Sequence, residues 1–406
     1  MSQPGEKAMS ADLPVLLVLA STYPRWLGDH EPGFVHELSK RLTRHFTVVA
    51  LCPSAPGTVS EEVMDGVSVV RYRYAPRRME RLVSDGGIVE NLRRDRWKLL
   101  LIPGFVLGQA WWAWRLMRTR KIQFVHAHWL IPQGLIAAFL TSLPGTHMPY
   151  VVTSHGADLF ALRGRMLDWL KRFVVRRAAA VTVVSGAMRD TLRNIGADTS
   201  KVAVLPMGVD LATRFTPDHD VPRASNELLF VGRLVEKKGL RHLIQAMPAI
   251  LQRRPDVTLT IVGFGPEEAA SRDLAEALGV SANVSFVGAV KQEELPALYR
   301  RAAVFVAPFV QAASGDQEGL GLVLVEALGC GCRVVVSDLP ATREVDGSGS
   351  LIRVPPGDPR LLAESILASL DHEHSPVPPV AIKTFDWSSR AAAYATLLRS
   401  AMGVRH

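Results

Sequence analysis

The chain has 406 residues, of which 48% are hydrophobic and 21% charged, and its formal net charge is +8. This composition fits a soluble globular protein and excludes a disordered or fibrous one, while the length favours two domains. Three cysteines, Cys52, Cys330 and Cys332, are too few for a disulfide framework. Because no signal-peptide pattern is evident either, we expect a reduced, cytoplasmic setting.

The first half of the chain alternates short apolar segments with helical patterns. The predicted strands cover residues 15–20, 47–51, 67–71, 124–126, 150–153, 180–184 and 202–205, and the helices between them include 34–44, 134–141, 166–178 and 187–195. Short apolar strands joined by helices predict a parallel sheet that is covered on both faces.

The positive charge is concentrated in this half, because residues 1–220 hold 28 Lys and Arg against 19 Asp and Glu. It is densest between residues 71 and 98, whose basic members are Arg71, Arg73, Arg77, Arg78, Arg81, Arg93, Arg94, Arg96 and Lys98. Such a patch can meet an anionic membrane surface or a phosphorylated acceptor, and a solvated face is the equal alternative. No zinc-finger or RNP pattern is present, so we expect no nucleic-acid partner.

Residues 99–117 form an apolar, Trp-rich run between basic residues. Its length is marginal for a membrane span, and Pro103 and Gly104 interrupt it. We expect a buried helix of the first domain, and we keep an interfacial membrane helix and, last, a transmembrane helix as alternatives. An interfacial helix would attach the protein peripherally to the inner face of the cell membrane.

The alternation pauses at residues 210–226 and then restarts. The second set of predicted strands covers residues 228–231, 258–262, 284–287, 304–307, 333–336 and 350–353, with helices at 240–253, 267–278, 293–302, 320–328 and 359–370. A proline-rich break at 375–379 precedes a last helix at 388–402. We therefore predict an α/β protein with two Rossmann-like parallel-sheet domains that face a central cleft. They comprise residues 11–209 and 227–384 with a linker at 210–226, and the last helix packs back on the first domain.

Histidines mark the carboxyl ends of two strands in the first domain. His155 directly follows a strand and precedes Gly156 and Asp158, which is a position where open α/β enzymes place functional groups. A structural role is the alternative. His126 and His128 can share one strand face, but no third metal ligand is visible in the sequence, so we predict that they line the cleft or support it and that no metal is bound.

Two cations follow the first strand of the second domain. Arg233 comes after a strand and a glycine, and Lys238 precedes a helix, which suits a diphosphate. Lys237 and Arg241 are interpreted as a solvated basic turn. The Gly263-Phe-Gly265 segment is an incomplete dinucleotide fingerprint and is interpreted as a structural turn.

The segment from Gly315 to Gly331 carries two glutamates, Glu318 and Glu326, around a glycine-rich helix start. A helix that opens near Leu320, with Gly319 and Gly321 beside it, presents free N–H groups to an anion or to sugar hydroxyls. Glu326, two turns into that helix, can accept hydrogen bonds from a ribose diol. Ordinary surface glutamates are the alternative.

Taken in order, these motifs resemble family 4 of the glycosyltransferases, the retaining enzymes of the GT-B fold. The motifs are the Gly33 loop, VHAHW, SHGAD, LPMGVD, FVGRLVEKKG, IVGFGPE, FVGAV and the segment from Glu318 to Glu326. The resemblance runs from about residue 15 to the last helix. Two segments, GDQEG and GDHEPGF, also resemble bacterial members that build cell-surface polysaccharides, which is a weaker likeness. The sequence departs from the family in having Met207 before Gly208 and a single clear glycine, Gly33, in the first loop.

The resemblance implies a nucleotide-sugar donor, with UDP or GDP as the nucleotide, and a glycan, lipid-linked or small-molecule acceptor. The implied donor-binding and catalytic residues are Gly33, His155, Arg233, Lys238, Gly288, Glu318, Gly319, Leu320, Gly321 and Glu326. Arg233 and Lys238 would neutralise the diphosphate, Glu326 would hold the ribose, and Glu318 would bind the sugar. His155 would contact the sugar or help to orient the acceptor, Gly33 would approach the phosphates, and Gly288 would lie near the base. No cofactor or metal is implied, because the cations can stabilise the leaving group themselves.

Two other functions remain open at this point. A GT-B sugar-nucleotide epimerase or a phosphorylase would use the same donor contacts. A non-catalytic protein that binds polyanions or membranes would need only the basic first domain.

Overall fold

The computed structural model describes residues 13–29, 33–83, 87–218, 220–345, 351–371 and 382–403. Residues 30–32 of the predicted glycine loop, Ser350 of a predicted strand and the predicted proline-rich break at 375–379 lie outside the described residues. So do residues 11 and 12 of the predicted first domain. The exact domain boundaries stay predictions.

The first sheet is built from residues 15–204. Its strands are β1 (Val15–Leu19), β2 (Thr47–Pro53), β3 (Glu61–Met64), β4 (Val67–Tyr72), β5 (Phe124–His128), β6 (Tyr150–Ser154), β7 (Ala180–Val183) and β8 (Val202–Val204). They lie in the order β3-β4-β2-β1-β5-β6-β7-β8, and all neighbours except β3 and β4 are parallel.

The antiparallel edge strand β3 is a correction to the predicted all-parallel sheet. It begins with Glu61 and Glu62, and its Val63 is 74% exposed, so it lacks the apolar pattern by which the other strands were predicted. The sequence does mark the turn between β3 and β4 by the pair Asp65-Gly66, and both residues have positive φ in the structure. An Asp-Gly pair in this conformation closes a tight hairpin.

The second sheet is wholly parallel. Its strands are β9 (Glu227–Val231), β10 (Thr258–Val262), β11 (Val284–Gly288), β12 (Val304–Ala307), β13 (Arg333–Ser337) and β14 (Leu351–Val354). The order β11-β10-β9-β12-β13-β14 reverses direction between β9 and β12, just as the first sheet reverses between β1 and β5. Ligands of open α/β sheets bind beyond the carboxyl ends of the strands at such reversals.

Helices cover both sheets and join their strands. They are α1 (Phe34–Leu42), α2 (Ile88–Arg94), α3 (Ile102–Thr119), α4 (Leu135–Leu140), α5 (Ala157–Phe160), α6 (Arg165–Arg177), α7 (Gly186–Asn194), α8 (Leu240–Arg253), α9 (Glu268–Ala277), α10 (Leu295–Arg301), α11 (Leu322–Gly329), α12 (Pro359–Asp371) and α13 (Trp387–Gly403). The predicted fold class, two Rossmann-like parallel-sheet domains, is confirmed, and the β3 edge departs from it.

The chain crosses between the two domains at two adjacent places. Val209 and Asp386 form an isolated parallel bridge, and Trp387 packs so closely on Gly208 that any side chain there would collide with its ring. Beyond the crossing, α13 lies on the first domain, where the Tyr394 hydroxyl donates to the Leu205 carbonyl at 2.7 Å. The two segments at this crossing are where a change in domain angle would have to be absorbed.

The run at 99–117 forms a helix with one buried and one exposed face. Phe105, Gln109 and Ala113 of α3 face the sheet, whereas Leu107 and Trp111 are 69% and 59% exposed. The expectation of a buried helix is therefore right for one face only. Among the described residues, no helix is both long and apolar enough to cross a membrane.

Two members of the predicted basic patch are buried instead of solvated. Arg71 donates to Glu62 Oε1 and to the Pro24 carbonyl, each at 2.8 Å, while Lys98 lies 2.8 Å from Asp95 and 2.9 Å from Asn91. A buried cation has to be paired. Both side chains meet this need by bonding to neighbouring loops, which they hold in place. The exposed part of the patch, as far as side chains are described, consists of Arg73, Arg77, Arg78, Arg81, Arg94 and Arg96.

Candidate active site

His155 follows β6 and is held in its loop by a buried carboxylate. Asp158 accepts hydrogen bonds from Ser154 Oγ at 2.9 Å, from the Leu130 amide at 2.7 Å and from the His155 amide at 3.3 Å. Gly156, between them, has φ +112°, which only glycine adopts without strain. The SHGAD motif therefore folds into a rigid turn that presents the His155 side chain at the carboxyl edge of the sheet.

A second histidine contacts His155 directly. Nδ1 of His128, the last residue of β5, lies 2.9 Å from Nε2 of His155, and the two rings stack with their centroids 5.2 Å apart. Burial lowers the pKa of His155 to about 3 and that of His128 well below its usual value, so both imidazoles are neutral at pH 7. The Phe34 ring, which follows Gly33 at the start of α1, lies 4.8 Å from the His155 ring.

On the second domain, two lysines after β9 are paired with two carboxylates that follow β12. Lys238 Nζ lies 2.7 Å from Glu318 Oε2, and Lys237 Nζ lies 3.2 Å from Asp316 Oδ2. Burial alone would raise the pKa of Glu318, but Lys238, Lys237 and Arg233 outweigh it and lower that pKa to about 2. The predicted solvated role of Lys237 is wrong, because its side chain is buried in this cluster.

Close backbone packing fixes the two turns that carry these cations. A Cβ atom at Gly263 would collide with the Gly232 carbonyl, and one at Gly265 would collide with the backbone of Leu234. The two turns also exchange hydrogen bonds, with the Leu234 amide donating to Phe264 O at 2.9 Å. The Gly-x-Gly segment is thus a structural turn, as predicted, and it supports the loop that holds Arg233.

Glu326 lies deeper, on α11. Its Oε2 accepts a hydrogen bond of 3.0 Å from the Tyr299 hydroxyl, and burial raises its pKa to about 7. The predicted helix start is wrong, because Gly321 adopts a left-handed conformation with φ +85° and α11 begins at Leu322. Gly319, Leu320 and Gly321 therefore form the loop before the helix, and Glu326 is one turn into it.

Several contacts between described residues join the domains across the cleft. A Cβ atom at Gly156 would lie 3.4 Å from Gly319 Cα, so the SHGAD loop rests on the loop before α11. Arg163 Nη2 donates to the Gly315 carbonyl at 3.0 Å. Glu344 Oε1 accepts from the Gly186 amide at 2.7 Å and so covers the amino end of α7.

The structure brings His155 of the first domain into contact with Gly319 of the second. Gly319 follows Glu318, which is paired with Lys238 on the same side of the cleft. Gly33 borders the same cleft through Phe34, whereas Gly288 closes β11 and accepts a hydrogen bond from the Gly263 amide. His128 supports the cleft as predicted, but its pairing with His155 was not predicted, and neither were the contributions of Tyr299, Arg163 and Glu344. Those contacts join residues between 27 and 158 positions apart, and no local pattern marks them.

Among the described residues, no group of three or more His, Cys, Asp and Glu side chains is arranged to hold a metal ion. His126, His128 and His155 do cluster, but His128 and His155 turn a nitrogen towards each other. A nitrogen used in such a hydrogen bond is not available as a ligand.

Solved structures share this architecture. Sucrose-phosphate synthase from Thermosynechococcus elongatus superposes with a TM-score of 0.76 at 21% identity, over 95% of this chain and 98% of that one. HepE from Anabaena, solved with UDP and glucose, superposes with a TM-score of 0.72 at 17% identity, over 95% of this chain and all of the other. The fold and its two-sided cleft define the GT-B class.

Sequence comparisons agree with this class. The profile described as Glycosyltransferase Family 4 matches residues 34–213, and the one described as Glycosyl transferases group 1 matches residues 225–372. The chain belongs to family 4 of the glycosyltransferases.

Curated relatives cover part of the chain. The putative colanic acid biosynthesis glycosyltransferase WcaL of Escherichia coli is 32% identical over 61% of this chain and 62% of its own length. The GDP-mannose-dependent alpha-(1-6)-phosphatidylinositol monomannoside mannosyltransferase of Mycolicibacterium smegmatis is 36% identical over 46% of this chain and 51% of its own length. The chain thus spans between half and two thirds of these relatives.

Proposed function

We propose that the protein is a retaining glycosyltransferase. It transfers a hexose-type sugar from a nucleoside-diphosphate donor to a glycan, a lipid-linked sugar or a small molecule, in cell-surface polysaccharide or glycolipid synthesis. The observation that carries this proposal is the Lys238–Glu318 pair, which lies with Arg233 at the strand ends of the second domain. Glu318 directly precedes Gly319, where the loop that carries His155 makes contact. Family membership and the relatives' names support it.

In this proposal the second domain binds the donor. The diphosphate takes the place of Glu318 as the partner of Lys238 and also contacts Arg233, because phosphate oxygens accept strong hydrogen bonds from both cations. Glu326 accepts hydrogen bonds from the ribose hydroxyls, and Gly288 borders the base. Glu318, released from Lys238, and the amides of Gly319, Leu320 and Gly321 then hold the sugar, with His155 and Gly33 on the opposite side.

The chemical step follows from where charge develops. The bond between the anomeric carbon and the phosphate oxygen breaks, and its electron pair stays on the leaving phosphate. The acceptor hydroxyl forms its bond on the same face of the sugar, and its proton passes to that phosphate oxygen. Arg233 and Lys238 stabilise the growing negative charge, so the step needs no metal ion and no protein base.

The donor nucleotide is testable without knowledge of the acceptor. UDP and glucose occupy HepE, and the mycobacterial relative is named for GDP-mannose, so both bases belong in the trial. Melting temperatures measured with UDP, GDP and their sugar conjugates should rise with one base, because a ligand of the folded state stabilises it. If no nucleotide changes the melting temperature at millimolar concentration, the donor assignment fails.

Two alternatives give different products. An epimerase would convert the nucleotide sugar to a new epimer with no acceptor present, which chromatography of the incubated donor would reveal. A non-catalytic binder would neither hydrolyse nor transfer the sugar. A retaining transferase should instead release nucleoside diphosphate and form a glycoside with the anomeric configuration of the donor.

We also propose that the first domain attaches peripherally to anionic membranes, where lipid-linked acceptors lie. The exposed face of α3 supports this, because Leu107 and Trp111 follow one another at helical spacing and Leu100, just before the helix, is 81% exposed. Arg115 and Arg118 continue the same face, and exposed Arg94 and Arg96 precede it. Apolar side chains flanked by Arg are suited to the headgroup region of anionic lipids.

Vesicle flotation tests the membrane proposal. The protein should float with vesicles of phosphatidylglycerol and phosphatidylcholine at low salt and lose binding in 0.5 M NaCl or with phosphatidylcholine alone. Trp111→Glu should abolish flotation, whereas Trp169→Glu, at an equally exposed Trp of α6, should float normally. Equal flotation of both variants would refute the α3 surface.

A further inference from the structure

Three histidine rings lie side by side beneath the first-domain wall of the cleft. His126 and His128 come from β5, their ring centroids are 4.3 Å apart, and both side chains are essentially inaccessible to solvent. The His155 ring stacks on His128 and is only partly buried. The row therefore runs from the core to the cleft and ends on a residue that the proposed function assigns to sugar contact.

The hydrogen bond between His128 and His155 admits two tautomers. Each ring is neutral, because burial lowers both pKa values, and a neutral imidazole has one N–H donor and one acceptor nitrogen. Of the two facing nitrogens, His128 Nδ1 and His155 Nε2, only one carries the hydrogen. Which one it is decides whether the other nitrogen of His155 donates or accepts.

The other ring nitrogen of His128, Nε2, decides between the two tautomers. This nitrogen is fully buried and has no hydrogen-bond partner among the described residues. A buried N–H group without an acceptor is rarer and less favourable than a buried lone pair without a donor. The hydrogen of His128 therefore lies on Nδ1 and is donated to His155 Nε2, so the hydrogen of His155 lies on Nδ1.

The hydrogen of the His126 ring can be placed by the same reasoning. His126 Nδ1 is also buried and has no partner in the described part of the chain, while its Nε2 lies 2.8 Å from Thr153 Oγ1. Thr153 Oγ1 in turn lies 2.6 Å from Thr182 Oγ1, so His126 Nε2–H can donate into a pair of hydroxyls. Both β5 histidines thus place their hydrogen on the nitrogen that has a partner.

We infer that His128 is a positioning residue, which fixes His155 in the Nδ1–H tautomer and makes it a hydrogen-bond donor to the sugar or phosphate oxygens of the ligand. The inference rests on the proposed function for the identity of that ligand. In this tautomer His155 does not act as a proton acceptor at Nε2, because that nitrogen is occupied by His128. The contribution of His128 is one hydrogen bond, made from the end of the neighbouring strand.

NMR of the protein with ¹⁵N-labelled histidine tests the tautomer without any turnover. The His155 signals are identified by their loss in His155→Asn. The expected result is a protonated Nδ1 and an unprotonated Nε2 for His155 at pH 7. A protonated Nε2 would overturn the inference and would leave the proposed transferase function untouched.

Two substitutions test the consequence for catalysis. Asn at position 128 keeps an N–H donor near the place of Nδ1, and Leu does not, so His128→Leu should lower kcat about tenfold to a hundredfold, while His128→Asn should retain most of it. Nucleoside-diphosphate affinity and the melting temperature check that each variant is folded, and His147→Leu at an exposed position serves as the control. Equal loss of kcat in the Asn and Leu variants would contradict a role through the hydrogen bond.

Discussion

Gly156 of the first domain contacts Gly319 of the second across the cleft. The space between the two loops fits a backbone contact and leaves little room for a side chain. A Cβ atom at Gly319 would lie 3.0 Å from the His155 carbonyl oxygen and 3.3 Å from Val184 Cγ2. The two glycines therefore allow the loop that carries His155 to approach the loop that leads to Glu318. Close approach of the two domains thus depends on small residues at these positions.

Gly319→Ala should hold the two loops apart by a few tenths of an ångström or more. We expect transfer to fall about tenfold, because reacting groups must be positioned closely, while the melting temperature changes little. Steady-state kinetics and a thermal melt measure this, with Gly403→Ala, which has open space around it, as the control. Full activity in Gly319→Ala would show that closure at this contact is unnecessary.

Glu344→Ala should loosen the closed arrangement of the domains. The carboxylate interacts with the amino end of α7 in the other domain, so its loss removes a charge-assisted hydrogen bond across the cleft. Small-angle scattering of the ligand-free protein should give a larger radius of gyration than for the wild type. The control is Glu364→Ala, which removes an ion pair within α12 and should leave the radius of gyration unchanged. An unchanged radius of gyration in Glu344→Ala would show that this contact does not hold the domains together.

Donor affinity should depend on pH through Glu326. Burial raises its pKa to about 7, and the ribose hydroxyls need the ionised carboxylate as an acceptor. Affinity should therefore increase as pH rises through 7 and be about tenfold weaker at pH 6 than at pH 8. Titration calorimetry in two buffers of different ionisation enthalpy should show proton release on binding near pH 6, and affinity independent of pH would exclude this role.

Tyr299→Phe should move that pH dependence upward. The Tyr299 hydroxyl donates to Glu326 and favours its charged form, so without it the pKa rises further and donor affinity at pH 7 falls. The matched control is Tyr150→Phe, which removes a buried hydroxyl that donates to the Val174 carbonyl in the other domain. If both variants gave the same pH profile, the Tyr299 hydrogen bond would have no part in donor binding.

Lys238→Met should destabilise the protein even without donor. Removing one partner leaves Glu318 buried beside fewer cations, at a cost of about 3 kcal/mol in the free energy of unfolding at pH 7. Because the folded-state pKa of Glu318 is lowered to about 2, its contribution is present above its unfolded pKa near 4.5 and is lost as pH falls towards 2.

Urea denaturation of Lys238→Met, Glu318→Gln and the double variant measures the coupling. The double variant should recover part of the loss, because no charge is left unpaired. Lys291→Met, at an exposed lysine of the same domain, should change stability little. Strict additivity of the two single effects would show that the pair contributes no coupling.

The strands and their order of appearance could be predicted because each buried strand of a parallel sheet is a short apolar run. Edge strand β3 escaped this pattern, since it begins with two glutamates and its Val63 faces solvent. The motif residues Arg233, Lys238, Glu318 and Glu326 were identifiable from glycines and charges at strand ends. Their partners were not, because the pairing of Tyr299 with Glu326 or of His128 with His155 arises only when distant strand and helix ends meet in the folded chain.

The most direct test of the account is the release of nucleoside diphosphate from the preferred nucleotide sugar, with and without acceptor, by the wild type, Arg233→Ala, Lys238→Ala and the control Lys291→Ala. If the cations of the second domain stabilise the leaving diphosphate, both site variants should lose at least about a hundredfold in rate while they remain folded by thermal melt. The control should turn over at the wild-type rate. Unchanged turnover in both site variants would contradict the account.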